Sequence, residues 1–112
     1  DNIVRLLLKY NIDGVIATNT TLARDEVAQS YFKDEAGGLS GEPLRLRALK
    51  TQQYIYKGLK GKVPIIGVGG IMEASDGKER INQGAELIQI YSGLIFKGHH
   101  LIHDLCEQTR QE

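Results

Sequence analysis

An excess of charge of either sign, a second cysteine and any long apolar run are all missing from this 112-residue sequence, and each absence closes off a class of function. With 14 basic and 14 acidic side chains dispersed along the chain, the formal net charge is zero. No electrostatic footprint for nucleic acid or an anionic membrane follows from such a distribution. A single cysteine, Cys106, cannot form an internal disulfide; it falls at an apolar helix position and reads as a packed core thiol in a reducing compartment. No segment approaches the ~18–20 apolar residues of a membrane span, and Asp1 to Leu8 lack the basic start and cleavage signature of a secretory signal. Hydrophobic residues at 41% and charged residues at 25% instead match an ordinary soluble globular chain, which excludes disorder.

What is present is an alternation of helical and strand patterns. Residues 1–10 read as a helix already under way without an initiating Met, which suggests a piece of a longer protein. Ile3, Leu6, Leu7 and Tyr10 recur at helical spacing in it. Val15-Ile16-Ala17 is a short apolar run of the kind buried on both faces of a parallel sheet, and the polar cluster Thr18-Asn19-Thr20-Thr21 ends it. A loop of some twenty residues follows, polar and open to motion between Glu26 and Glu35. It carries Gly37-Gly38-Leu39-Ser40-Gly41 and leads to Pro43 at a helix start. Leu44, Ala48, Ile55 and Leu59 then line one face of a helix that Gly61 terminates. A second strand over residues 63–68 runs into Gly69-Gly70, and a helix from about Ser75, its expected N-cap, to Gln83 ends at Gly84. The third strand spans residues 87–91 and ends in Ser92-Gly93. A last helix follows, with Leu101, Ile102, Leu105 and Cys106 on one stripe and His103, Glu107 and Arg110 pointing away.

Buried strands alternating with helices call for parallel crossovers and a helix-covered sheet. Three strands close a sheet poorly, so the expected fold class is α/β, with residues 1–112 forming the C-terminal portion, about strands 6–8, of a (β/α)8 TIM barrel of roughly 250 residues. A small three-layer α/β domain complete in itself is the alternative. In a barrel the loops at the strands' C-terminal ends carry the site, and phosphate often binds after the last two strands.

Gly67, Gly69 and Gly70 allow a backbone to approach an anion closely, and amides from this turn and from Ser92-Gly93 could converge on one phosphate. Glycines that only make tight turns are the plain alternative. Thr18, Asn19 and Thr20 stand where barrel enzymes place ligand contacts. Asn19 can donate and accept, although an Asx or Ser/Thr turn that merely ends the strand fits equally. His99, His100 and His103, with Cys106, have partly metal-like spacing, but without a visible second shell they read as solvent-facing and no metal site is expected. Asp76, Gly77 and Glu79 look like a solvated first helical turn.

Four blocks, Asp13-Gly14-Val15-Ile16-Ala17-Thr18-Asn19-Thr20-Thr21, Gly37-Gly38-Leu39-Ser40-Gly41 with Pro43-Leu44, Pro64-Ile65-Ile66-Gly67-Val68-Gly69-Gly70-Ile71, and Gln89-Ile90-Tyr91-Ser92-Gly93 with Phe96-Lys97-Gly98, resemble class 2, quinone-dependent dihydroorotate dehydrogenases in order and across nearly the whole chain. The resemblance implies an FMN flavoprotein that oxidises dihydroorotate to orotate in pyrimidine (UMP) biosynthesis and passes the electrons to a quinone. It gives Thr18, Gly41, Gly69, Gly70, Tyr91, Ser92 and Gly93 to the cofactor, the last five around the ribityl phosphate, and Asn19 and Thr20 to the substrate.

No catalytic residue is assigned within this chain, because the family's base serine lies upstream, as do the helices that guide the quinone. Peripheral inner-membrane association, on the cytoplasmic face in a bacterium or in the mitochondrion of a eukaryote, is implied for the parent enzyme only, and the isolated chain is expected to be inactive. Glu73 in place of a capping serine, Gly77 in place of alanine and His99-His100 in place of a proline-bearing turn depart from the family pattern and should weaken local helix starts. A different phosphate-binding barrel enzyme without flavin, a lyase or isomerase, or a non-catalytic barrel fragment remain the competing readings.

Overall fold

The computed structural model describes residues 2–110. Eight main elements follow one another: α1 (Asn2–Lys9), β1 (Val15–Ala17), α2 (Arg45–Leu59), β2 (Ile65–Val68), α3 (Ala74–Asn82), β3 (Leu87–Gln89), α4 (Ser92–Lys97) and α5 (His100–Thr109). The strands form one parallel sheet in the order β1-β2-β3, with Ile16 paired to Ile66 and Ile66 to Leu87. Asp1, the first residue of the expected opening helix, lies outside the described residues.

Side chains alternate across a strand, so this register sorts them into two faces. Val15, Ala17, Ile65, Gly67 and Ile88 share the face that carries every packed helix. Ala17 and Ile65 form a core with Leu59 and Val63, against which Val4, Leu7, Leu8 and Ile55 pack. Ile88 packs against a second core of Ile71, Leu101 and Leu105. Leu59 and Ile65 are fully buried, each worth about 1.5–3 kcal/mol of transfer free energy. On the opposite face Ile16 is 58% and Leu87 62% exposed. Within this chain, then, the strands are buried on one face only. The molecule is a slab of 43 × 35 × 17 Å, a single sheet-and-helix layer pair rather than a complete three-layer domain. Such a one-sided parallel sheet is an arc of a βα barrel, whose bare face is the barrel interior.

Several local expectations change for identifiable reasons. In α1 the face that packs is Val4, Leu7 and Leu8, while Ile3, Leu6 and Tyr10 are exposed. The helix α2 ends at Lys60, itself in the left-handed region at φ 52°, one residue before Gly61. β2 begins two residues later than expected, at Ile65, while β3 stops two residues early, at Gln89, where the chain turns out to form the site.

Helix α3 is capped not by Ser75 but by Glu73. The Glu73 side chain accepts from the Asp76 amide, and the Asp76 carboxylate accepts from the amides of Met72 and Glu73, each at 3.0 Å. The unusual Glu73 thus completes a capping box rather than weakening the helix, and Asp76 is half-buried rather than solvated. Gly77 is explained by close packing, since a Cβ there would sit 2.3 Å from Leu105 Cδ2 and 2.8 Å from Ile88 Cδ1. In α5 only Leu101 and Leu105 are buried; Ile102 and Cys106 are exposed, so Cys106 is not a core thiol.

The long loop between β1 and α2 is organised by Arg24, whose guanidinium donates to the carbonyls of Thr21, Lys33, Glu35 and Gly37. A bridge between Thr21 and Leu39 closes its base.

Replacing Asp76 by Ala removes the carboxylate to which two backbone amides donate and should destabilise the full-length protein by about 1–2 kcal/mol. Thermal unfolding would show this as a midpoint lowered by a few degrees, and an unchanged midpoint would contradict the capping role.

Candidate functional site

Parallel strands deliver their C-terminal ends to one edge of the sheet, and that edge holds a cavity of about 500 Å³. All nine positions that the family resemblance gives to cofactor or substrate line it: Thr18, Asn19 and Thr20 after β1, Gly41 before α2, Gly69 and Gly70 after β2, and Tyr91, Ser92 and Gly93 after β3. Gly67 does not. It faces the helices, where a Cβ would meet Gln52 Oε1 at 2.7 Å. The remaining wall is apolar, from Ile16, Leu44, Val68, Ile71 and Ile90, apart from Ser40 and Gln89. Among the described residues, no charged side chain lines the cavity.

The turns that form it are locked together. Gly93 is so close to Ile71 that a Cβ would lie 2.4 Å from the Ile71 carbonyl oxygen. Ser40 Oγ and Ser92 Oγ are 2.7 Å apart, joining the long loop to the turn after β3. Gly38 makes room for the Thr20 side chain, whose Oγ1 a Cβ at position 38 would overlap. Gly70, at φ 72°, packs against the α2 backbone, where a Cβ would lie 2.2 Å from Arg45 Cα. The tight-turn reading of these glycines therefore holds together with their position in the cavity wall. Ser92 and Gly93, expected as loop, are the first turn of α4, where amides have no intrahelical partner.

The Thr18 amide donates to the Val68 carbonyl at 2.9 Å, tying the first turn to the second. The Asn19 Oδ1 accepts from the Thr20 amide at 2.8 Å, a local contact that leaves its NH2 group with two donor hydrogens of its own. His99, His100 and His103 are exposed and take no part in the cavity lining.

Beneath the cavity lies a residue that reading the sequence missed. Arg80 of α3 is 3% exposed. Its Nη1 donates to the Gly69 carbonyl at 2.9 Å, and its Nη2 donates to the carbonyls of Ala17 at 2.9 Å and Val68 at 3.2 Å. Its Nε donates to Gln52 Oε1 at 2.5 Å, and Gln52 Nε2 returns a bond to the Arg80 carbonyl. Burial pushes the guanidinium pKa down from its ordinary value to about 10, with the Glu79 carboxylate pulling the other way. Arg80 remains cationic at neutral pH. The available signal was Gln52: it stands four residues after Ala48 and three before Ile55, a polar side chain on the buried stripe of α2.

A parallel sheet with helices on one face and a polar cavity at the C-terminal strand ends defines part of a βα-barrel protein whose site lies at the usual barrel end. The family model described as dihydroorotate dehydrogenase matches residues 1–112, and the chain belongs to that family. It is 50% identical over 109 residues to the dihydroorotate dehydrogenase (quinone) of Chromobacterium violaceum, covering 97% of this chain and 32% of the relative. To that of Pseudoalteromonas translucida it is 54% identical over 101 residues, 90% of this chain and 30% of the relative. Two crystal structures of the Eimeria tenella protein superpose well, each at 36% identity. The ferulenol complex gives a TM-score of 0.87 over 95% of this chain and 29% of that one, and the ligand-free form 0.89 over 96% and 30%. The chain thus spans about a third of the length of the relatives it matches.

The crowding around Gly70 predicts that Gly70→Ala abolishes soluble full-length protein or lowers its stability by more than about 3 kcal/mol. At Gly37, with φ 100° and nothing within 4 Å of a Cβ, alanine should cost only about 1–2 kcal/mol. Equal losses in urea unfolding would contradict the packing described.

Proposed function

We propose that residues 1–112 are the C-terminal part of the flavin-binding barrel domain of an enzyme that oxidises dihydroorotate to orotate, with FMN as hydride acceptor and a quinone as final acceptor, in de novo pyrimidine biosynthesis. The observation that carries this reading is the convergence of all nine positions on one cavity at the strand ends.

The residues present fit the cofactor. The cavity lies within the ~300–1,000 Å³ typical of ligand sites, and its wall combines apolar side chains suited to a ring system with glycine turns and hydroxyls suited to a phosphate. With no carboxylate in that wall, a dianion meets no opposing charge. Gly69, Gly70, Ser92 and Gly93 would hold the phosphate through backbone amides, with Tyr91 beside them, and Thr18 and Gly41 would also contact the cofactor. Hydrogen bonds to a charged group contribute roughly 1.5–3 kcal/mol each, so a few amides suffice without a lining cation.

Asn19 and Thr20 would bind the substrate's carboxylate and pyrimidine ring, matching its donors and acceptors. When bound, the flavin supplies the redox chemistry, which none of the side chains here can perform. The family pattern puts the proton-accepting serine and the quinone-guiding helices upstream of this region, so neither role is given to a residue of this chain. No described helix is long and apolar enough to cross a membrane; peripheral attachment to the inner membrane is proposed for the whole enzyme on its family resemblance alone.

Two substitutions in the full-length enzyme test the assignment. Ser92→Asp should release FMN on gel filtration by placing a carboxylate against the phosphate, and undiminished retention would contradict the cradle. Asn19→Ala should raise KM for dihydroorotate about 10- to 100-fold with flavin content intact, as expected for an unpaired polar group on a bound ligand. An unchanged KM would remove Asn19 from the substrate site.

A further inference from the structure

A cavity proposed to hold a dianion, yet lined by no cation, raises the question of where the balancing charge resides. The geometry points to Arg80: it acts as a positioning residue that holds the turn after β2 and delivers its positive charge to the phosphate cradle from behind, through the peptide groups of that turn. The inference rests on the flavin-phosphate reading above and extends it.

Arg80 has no carboxylate within ion-pair distance among the described residues; its partners are the three strand-end carbonyls and the Gln52 amide oxygen. Two of those carbonyls, Val68 and Gly69, belong to the peptide units whose nitrogens are Gly69 and Gly70. In a trans peptide the N–H points opposite to the C=O. A guanidinium on the carbonyl side therefore leaves the Gly70 N–H directed away from Arg80, and Gly70 lines the cavity. A hydrogen bond accepted at the oxygen polarises the same peptide unit and strengthens its N–H as a donor. The third carbonyl, Ala17, directly precedes Thr18, so the same side chain also fixes the turn after β1.

The surroundings are built to keep this charge in place. Gly67 is the position whose missing side chain admits the Gln52–Arg80 pair: a Cβ there would stand 2.7 Å from Gln52 Oε1 and 3.3 Å from Arg80 Nε. Gln52 in turn donates to the carbonyls of Arg80 and Gln83, locking α3 to α2. A cation held behind the peptide plane keeps the cavity wall free of a long, mobile side chain.

Comparing FMN with riboflavin, which lacks the phosphate, separates this role from a purely structural one. The apo form of the full-length enzyme would be titrated with each flavin and followed by fluorescence quenching. Arg80→Met should weaken FMN about tenfold while riboflavin binding changes less than about twofold, the scale of one charge-assisted hydrogen bond. Parallel loss of both flavins, or loss of neither, would overturn the proposal.

Should that variant not fold, Arg80→Lys keeps the charge and should hold the preference for FMN within about threefold of native; a folded lysine variant without the preference would refute it. The native enzyme supplies a third check, because the preference should survive about 1 M salt if its source is buried, and collapse with salt would indicate an exposed cation instead. A native enzyme that binds both flavins equally would defeat the phosphate cradle itself, a result distinct from any of these.

Discussion

The Arg80 guanidinium under the ends of β1 and β2 is the contact on which the rest of the site depends. Strand ends are where ladder pairing stops and carbonyls lose their regular partners, so a turn there has many accessible shapes. Here the carbonyls of Ala17, Val68 and Gly69 are all taken by one side chain, and the Thr18 amide closes onto Val68. Three carbonyls from two strand ends are thereby fixed to one planar fork with its donors in a fixed geometry, and the Thr18 amide is tied to one of them. Because α3 carries this fork and its own start is held by the Glu73–Asp76 box, the helix that stabilises the fold is also the one that shapes the cavity floor.

A second constraint is the one-sidedness of the sheet. Ala17, Ile65 and Ile88 anchor helices on one face, while Ile16 and Leu87 on the other have little to cover them within this chain. Apolar side chains of that size favour burial, and a barrel interior provides it. The cavity sits at the rim of this bare face, with Ile16 and Val68 in its wall. Its apolar side is thus an extension of the barrel core, and its polar side is made from the turns that follow the strands. The division of the cavity into an apolar side and a polar side follows from that topology.

The order of elements was legible because each strand is an uninterrupted apolar run and each helix carries a periodic stripe. The site was legible because glycine and hydroxyl residues cluster after strands, where a barrel places its chemistry. What escaped was the support behind the site. An arginine within a polar helix such as α3 resembles a solvated residue, and its burial depends on a partner, Gln52, 28 positions away. Gly67 was read as a phosphate-approach residue because it sits in a glycine-rich block, yet side-chain alternation turns it toward the helices. The face of α1 was only partly judged for a related reason: nearly every position in it is apolar or long, so periodicity placed Leu7 correctly but chose Ile3, Leu6 and Tyr10 over Val4 and Leu8. The Ser40–Ser92 contact joins residues 52 apart, and no local pattern announces it.

Burying a guanidinium costs several kcal/mol in desolvation, and well-packed apolar residues can often replace buried charges without loss of stability. Stability alone is therefore a weak reason for an arginine at this position, which is 3% exposed. The hydrogen bonds that Arg80 makes go to three backbone oxygens and the Gln52 amide oxygen, which carry partial rather than full negative charge, so the group keeps a net positive field. Glu79, the neighbouring carboxylate, offsets that field only in part, being half-exposed and more than ion-pair distance away. A fixed, dry, only partly neutralised cation behind a turn of amides is an arrangement that lowers the energy of an anion on the far side without exposing a side chain that water could screen.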